Sequence, residues 1–417
     1  MRALFLLRAV FLLLFWLLIY PAQRFWFLRA WRRAQKASSA GWRRILKGLT
    51  GCAAVVLLAA LLDSINGNLI PRQSLAGWLV LVARVWVVAS FVGFVALHAV
   101  RLLERLSRSA MRAVPVAARE TFDPARRNFF RFAAYAAGSL PMVAGIYGFG
   151  AERFRYSVEQ VEIPIAGLPQ GLQGLRIVHL SDIHHGEFMP RSELRRAVEM
   201  ANQLRPDLMV VTGDLVTDGH DPLEDCVAEL SRLRAPLGVW GCNGNHEIYA
   251  EVEDLAQELY RQHGMHLLRQ ESAELEWRGA RFNLIGVDYQ RERTRTGQRA
   301  LMLRDIEGLV RSDVPNILLS HNPNSFPRAA QMGIELSLAG HTHGGQVRVE
   351  IVDHDWSPAR FMTDFIAGQY RLPLGGNSAS AGRSSAILYV NRGLGTLGVP
   401  VRLGAPPEIT LLTLRAA

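Results

Sequence analysis

The sequence predicts an α/β domain preceded by an all-α transmembrane segment. Three observations carry this: long apolar runs confined to the first 150 residues, a charge imbalance with the same boundary, and short apolar runs alternating with helical stretches from residue 175 onward. The chain has 417 residues, room for two or three domains, and 49% apolar against 20% charged residues is rich for a soluble protein. The net charge of +10 is unevenly spread: the first 150 residues hold 20 Arg+Lys against 4 Asp+Glu, and the remainder is acidic, at −6. Basicity that belongs to the apolar part reads as membrane orientation and contact with anionic lipids. The acidic remainder offers no footprint for nucleic acid, so none is expected as a partner.

Crossing the hydrocarbon takes about 20 mainly apolar residues in a helix. Four stretches qualify: 3–20, interrupted by Arg8; 49–70, containing Asp63; 75–103, containing Arg84; and 132–151, which has no charge. These give a transmembrane domain over 1–151 and a second domain over 152–417. Residues 24–47 carry eight cations and no acid, and 101–131 carry eight arginines against three acids, whereas the 63–77 linker has only Arg72. Positive loops stay in the cytoplasm, so the expected topology is multi-pass in the inner (cytoplasmic) membrane, with everything after 151 extracytoplasmic, in the periplasm. The stretch ARRNFFRFAAYAAG from Ala125 is similar to a twin-arginine export signal, although it is internal; an ordinary basic flank of a helix explains it equally well. Asp63 and Arg84 fall at similar depths, roughly 10–13 Å from the outer surface at 1.5 Å per residue, and a lone charge there is costly. An intramembrane pair between them follows.

In the second half the apolar runs end in polar residues that can bind metal. LRIVHLSDIHHG ends in Asp182 and His184, PDLMVVTGD in Asp214, and LGVWGCNGNHE in Asn245 and His246. After RFNLIGVD come NILLSHNP with His321 and LSLAGHTHGG with His341 and His343. Ligand sites in open α/β sheets lie at the carboxyl ends of the strands, so five such endings converge on one small volume. The donors are oxygen and nitrogen without sulfur, as for Mn, Fe, Zn or Mg, and seven candidates exceed what one ion takes. A pair of divalent ions about 3.5–4 Å apart, which activates water and clamps phosphoryl oxygens, fits this set. The three cysteines form no CxxC; Cys226 and Cys242 read as buried small residues, with pairing open if this half is extracytoplasmic.

In this order, DIH, GD, GNHE, SHNP and GHTH resemble the calcineurin-like metallophosphoesterase superfamily over about residues 170–415. The GHTHGGQ form and the closing VNRGLGTLGVPVRLGAPPEITLLTL are similar to its membrane-tethered branch, which includes twin-arginine-exported phosphodiesterases and relatives of UDP-2,3-diacylglucosamine hydrolases. The resemblance implies a two-sheet sandwich flanked by helices. It also implies that Asp182, His184 and His343 hold a first metal, that Asp214 bridges, and that Asn245, His321 and His341 hold a second. His246 would give a proton to the leaving oxygen, and Arg392, in NRG, would bind the substrate phosphate. On an extended segment His341 and His343 would point the same way, about 6.5–7 Å apart at Cα, and would then divide between the two metals. The expected activity is hydrolysis of a phosphodiester or pyrophosphate bond by an activated hydroxide. The substrate would be lipid-linked, such as a UDP-diacylglucosamine-like molecule, because the site is tethered near membrane lipids. A sensor or regulatory protein with a non-catalytic phosphoesterase-like domain is the other class of function.

The weaker signals have plainer readings. His185 reads as an exposed loop residue, His179 as packing, His220 as surface and Asp288 as support behind a ligand. The basic loop 290–299 could steer a phosphate. The apolar residues of 355–376 could cover the site, touch the bilayer or pack in the core.

Overall fold

The computed structural model describes residues 2–65, 74–110, 116–186, 188–291, 300–351, 354–375 and 384–417. It divides into two compact units, Met1–Gly150 and Ala151–Ala417. The first contains four long helices: α1 (Arg2–Gln35), α2 (Ala40–Ile65), α3 (Leu75–Ala110) and α4 (Val116–Gly150). Each outruns the apolar stretch within it, because the flanks are rich in Arg, Ala and Leu, which favour helix. The end of the 49–70 stretch, at 66–70, and most of the basic loop, 292–299, lie outside the described residues. Among the described residues, Ala40–Asp63, Leu75–Ala110 and Pro124–Phe154 are long and apolar enough to cross a membrane.

Polar contacts and small residues join these helices. Gln23 Nε2 on α1 donates to Ser90 Oγ on α3 at 2.8 Å, and Trp26 Nε1 donates to the Ser90 carbonyl at 2.9 Å. Arg84 Nη2 donates to Asp63 Oδ2 at 3.2 Å, forming the α2–α3 pair expected from their depths. Gly93 of α3 lies so close to α4 that a Cβ there would meet the Gly138 carbonyl oxygen at 2.6 Å. Small residues allow this backbone approach where water supplies no hydrophobic drive.

The second unit is built of β1 (Ser157–Ile165), β2 (Arg176–Leu180), α5 (Arg191–Gln203), β3 (Leu208–Thr212), α6 (Leu223–Leu230), β4 (Val239–Cys242), α7 (Asn245–Ala250), α8 (Glu253–Gln262), β5 (His266–Leu267), β6 (Glu271–Trp277), β7 (Ala280–Gly286), β8 (Asn316–Leu319), α9 (Phe326–Gln331), β9 (Leu336–Ala339), β10 (Val349–Ile351), β11 (His354–Trp356), β12 (Gly368–Pro373), β13 (Ser385–Val390) and β14 (Glu408–Ala416). Two six-stranded sheets run β1-β14-β2-β3-β4-β5 and β12-β13-β9-β8-β7-β6, and β10 and β11 pair separately. Strands β2 to β5 are parallel, as are β7, β8, β9 and β13.

Alternation along the strands builds the layers. Ile177, Leu208 and Val210 face a core shared with Phe282, Ile317, Leu336 and Ile387 of the other sheet. Val178, Met209 and Val211 point the other way, beneath α5, α6 and α8. Both faces of these strands are covered, so they read as unbroken apolar runs. Cys226 lies in the outer core and Cys242 in the core between the sheets, and both thiols are free.

Candidate metal centre

The parallel strands of both sheets deliver their carboxyl ends to one edge. Asp182 and His184 follow β2, Asp214 follows β3, and Asn245 and His246 open α7 just after β4. From the second sheet, His321 follows β8, and His341 and His343 follow β9. Three strands of one sheet and two of the other thus supply the donors, through loops that continue the sheet. The Asp182, His184 and His185 N–H groups donate to the carbonyls of Gly213, Asp214 and Leu215 at 3.1, 2.9 and 2.8 Å. This extension encloses His185, which is buried instead of exposed, and burial lowers its imidazole pKa.

Ligand atoms lie within 4.8 Å of one another in three groups: Asp182, His184 and His343; His184, Asp214 and His246; and Asp214, His321 and His341. His343 Nε2 is 3.4 Å from Asp182 Oδ1 and 3.2 Å from His184 Nε2. Asp214 Oδ2 is 3.6 Å from His184 Nε2 and 3.1 Å from His321 Nε2, and Oδ1 accepts the His246 N–H at 3.0 Å. His341 and His343 therefore fall into different groups. They do so without an extended segment: His341 and His343 have φ of 73° and 52°, and Thr342 between them is right-handed helical. Thr342 turns away and donates to the Ile366 carbonyl at 2.5 Å.

Asp182, His184 and Asp214 also have positive φ, so five of the twelve described non-glycine residues in that region are candidate ligands. Such backbone strain gathers where the surrounding structure fixes a functional geometry. A Cβ at Gly244 would overlap Asp214 Oδ1, and one at Gly340 would overlap Asp182 Oδ2. The two glycines let neighbouring loops close over the carboxylates.

Hydrogen bonds behind the imidazoles set which nitrogen faces the site. His321 Nδ1 donates to the Thr212 carbonyl at 2.6 Å, leaving Nε2 inward. His246 Nδ1 donates to the Thr217 carbonyl at 2.6 Å, and His184 Nδ1 is 3.1 Å from the Thr217 hydroxyl. Burial holds His184 at a pKa of about 3 and His341 at about 4, and drives His343 well below the usual range. These three are the neutral imidazoles that metals bind. Burial would lower His321 as well, but the Asp214 and Asp182 carboxylates raise it to about 10. Burial likewise opposes ionisation of Asp214, yet His321 and His184 hold it well below the ordinary carboxylate range. Burial lifts Asp182 to about 6.

This donor set fits a divalent cation. It is nitrogen and oxygen only, the proton shared around Asp214 and His321 is one a cation displaces, and buried Asn245 Oδ1 has no hydrogen-bond partner among the described residues.

Three supporting residues carried no sequence expectation. Glu247 accepts the N–H groups of Asp214, Leu215 and Gly244 at 2.9, 2.7 and 2.7 Å, which pins the Asp214 loop to α7. Its only sequence signal is its place as the acid of GNHE, three residues into a helix start. Thr217 orients two histidines. Arg402, fully buried, donates to the carbonyls of Arg392, Gly393, Gly395 and Ala405 at 2.8, 3.0, 2.6 and 2.9 Å, gathering the loops beside His343.

Arg392 has a different occupation from the one expected. Its guanidinium lies 2.6 Å from Glu159 and 3.0 Å from Glu408, so it is neutralised by carboxylates rather than brought into the donor cluster. Asp288 accepts from Asn243 Nδ2 at 2.8 Å and from Arg269 Nε at 3.0 Å, bracing the approach to Asn245. His179 is buried against the Thr212 hydroxyl at 2.8 Å, and His220 is exposed. In 355–376, Phe365 packs in the core, whereas Phe361 and Met362 are exposed. Tyr289 lies 5.3 Å from the His341 ring and Tyr249 6.0 Å from that of His246, between ring centroids, so two aromatic side chains border the cluster.

Residues 175–345 match the family described as calcineurin-like phosphoesterase. The transmembrane protein with metallophosphoesterase domain of Danio rerio is 31% identical over 409 residues, covering 90% of this chain and 86% of that protein. The uncharacterized metallophosphoesterase YkuE of Bacillus subtilis is 29% identical, over 70% of this chain and 98% of its own length. Phosphodiesterase YaeI of Escherichia coli is 27% identical, over 57% and 82%. The similarity to the Danio rerio protein extends across the apolar helices, in keeping with membrane association. With the matched region holding every candidate metal donor described above, the chain belongs to the calcineurin-like metallophosphoesterase family and is a phosphoric ester hydrolase.

Proposed function

We propose that the protein is a membrane-anchored hydrolase of a phosphodiester or pyrophosphate bond that works with two divalent cations. The observation that carries this reading is Asp214 Oδ2, one oxygen facing His184 on one side and His321 on the other. Asp182, His184 and His343 would hold one ion, and Asn245, His321 and His341 the other, with Asp214 between them. When bound, such ions supply an activated water and offset charge on the phosphoryl oxygens.

The protein's own contribution is placement. Glu247 and Arg402 fix the loops that present the ligands; His184, His341 and His343 stand neutral, and His321 would give up its proton when an ion binds. His246 keeps the Nδ1 proton on the Thr217 carbonyl, so Nε2 is the atom that takes up a proton and returns it to the leaving oxygen. The apolar helices on the same chain favour a substrate drawn from the membrane, a lipid-linked phosphate ester. The basic segments 24–47 and 101–131 favour an extracytoplasmic site.

The test uses the full-length chain in detergent. Bound metal should approach about two per chain, as in two-metal phosphatases. Hydrolysis of bis-p-nitrophenyl phosphate should stop on chelation and return with Mn²⁺ or Zn²⁺. A chain that holds one ion at full activity contradicts the two-ion reading, and a fully loaded but inert chain favours a regulatory domain.

A further inference from the structure

The helical unit contains two adjoining cavities that the hydrolase reading does not use. One, of about 420 Å³, is lined by seven cations and one acid: Arg29, Arg32, Arg33 and Lys36 from α1, Arg101 and Glu104 from α3, and Arg127 and Arg131 from α4. The other, about 660 Å³, is mainly apolar, with walls that include Trp26 of α1, Leu49, Ala53 and Leu57 of α2, and Met142 of α4. They share Arg29, Arg33, Leu97, Ala134 and Tyr135, so a molecule with a charged end and an apolar end can occupy both.

Positive loops explain why cations gather at one end of the helices, but not why seven converge on one pocket beside an apolar chamber. Glu104 is taken by Arg108. Among the described residues, none of the seven cations is paired with a carboxylate. Arg29 and Arg101 even approach the same ring, Phe25, at 4.4 and 5.8 Å from its centroid. Cations crowded in this way repel one another unless an anion lies between them. Basic pockets between membrane helices take lipid phosphates, and a chamber of this size falls within the usual range for a small-molecule site, about 300–1,000 Å³.

We propose that the helical unit binds an anionic phospholipid, its phosphate among Arg29, Arg33, Arg101 and Arg131 and an acyl chain in the apolar chamber. The site is independent of the metal centre and of the reaction carried out there.

The experiment measures the thermal midpoint and retained lipid, by native mass spectrometry, of the full-length protein in detergent. The probes are phosphatidylglycerol, phosphatidylcholine and inorganic phosphate. Phosphatidylglycerol should raise the midpoint and remain bound, whereas phosphatidylcholine and free phosphate should do neither. An R29Q/R33Q/R101Q variant should retain at least about tenfold less phosphatidylglycerol, a loss expected where several cations grip one head group. R43Q/R44Q/R105Q, which removes as much charge outside the pocket, should retain it normally. Ala53→Phe, which narrows the apolar chamber and leaves every cation in place, should also weaken retention, and it serves if the triple variant does not fold. Equal retention of phosphatidylcholine, an equal shift with inorganic phosphate, or an equal loss in the control variant overturns the proposal.

Discussion

His246 differs from the other imidazoles of the centre in what its two nitrogens face. Nδ1 is committed to the Thr217 carbonyl, its backbone N–H holds Asp214 Oδ1, and its ring is only half-buried. In the proposed mechanism its ring serves as proton donor and not as a ligand. His246→Ala should lower kcat by about 10²–10⁴-fold, the usual worth of a placed proton donor, with metal content unchanged by elemental analysis. A matching loss of metal would make it a ligand instead. Asp214→Asn should act in the opposite order: both ions leave first, with affinity falling by more than the roughly 10–100-fold typical of residues behind a ligand. Retention of one ion at its original affinity would contradict bridging. At this scale the sequence was legible wherever chemistry demands a particular donor, because Asp, Asn and His recur at strand ends. It was silent on Arg402 and Thr217, whose work is done on or by backbone groups that no side-chain pattern reveals. For Arg392 a motif drew attention to the cation, but its carboxylate partner Glu159 lies 233 positions away and could not be paired from sequence.

The elements around the site are tied together by polar contacts of their own. Glu229 on α6 accepts from Arg195 and Arg191 of α5, each at 2.7 Å, and the hydrogen bond from Arg195 leads in holding its carboxyl pKa at about 2. A carboxyl depressed on folding adds stability that is complete above its unfolded value, near 4.5, and is lost as pH falls toward about 2. The wild-type thermal midpoint should thus exceed that of Glu229→Gln at neutral pH, with the gap closing between about pH 4.5 and 2. A gap that stays constant through that window would show that the charge contributes nothing. Strands β2, β3, β4, β8 and β9 could be read directly because burial on both faces leaves continuous apolar runs. The helices of the first unit could not be bounded, because hydropathy reports where a chain meets hydrocarbon and not where its backbone hydrogen bonds stop. The turn at His341 was misjudged for a related reason: left-handed backbone at a non-glycine residue is set by the surrounding fold rather than by local preference.

For the molecule as a whole, the two compositions of the chain are two solvents written into one sequence. The fold class was legible because those solvents impose different periods, whereas sidedness rests on charge alone. Alkaline phosphatase fused after residue 417 should be strongly active if the second unit is exported, and should lose that activity when fused after residue 45, in the first basic loop. The reverse pattern would place the hydrolase inside. The left-handed backbone at Asp182, His184, Asp214, His341 and His343 has a further bearing on how this protein can change. Each such residue costs on the order of 1–3 kcal/mol, and Asn or Gly would relax it at once. Selection for heat resistance alone would therefore find its readiest gains in the five positions proposed to hold the metals, and a family drifting toward robustness would tend to leave behind sturdy, inactive descendants.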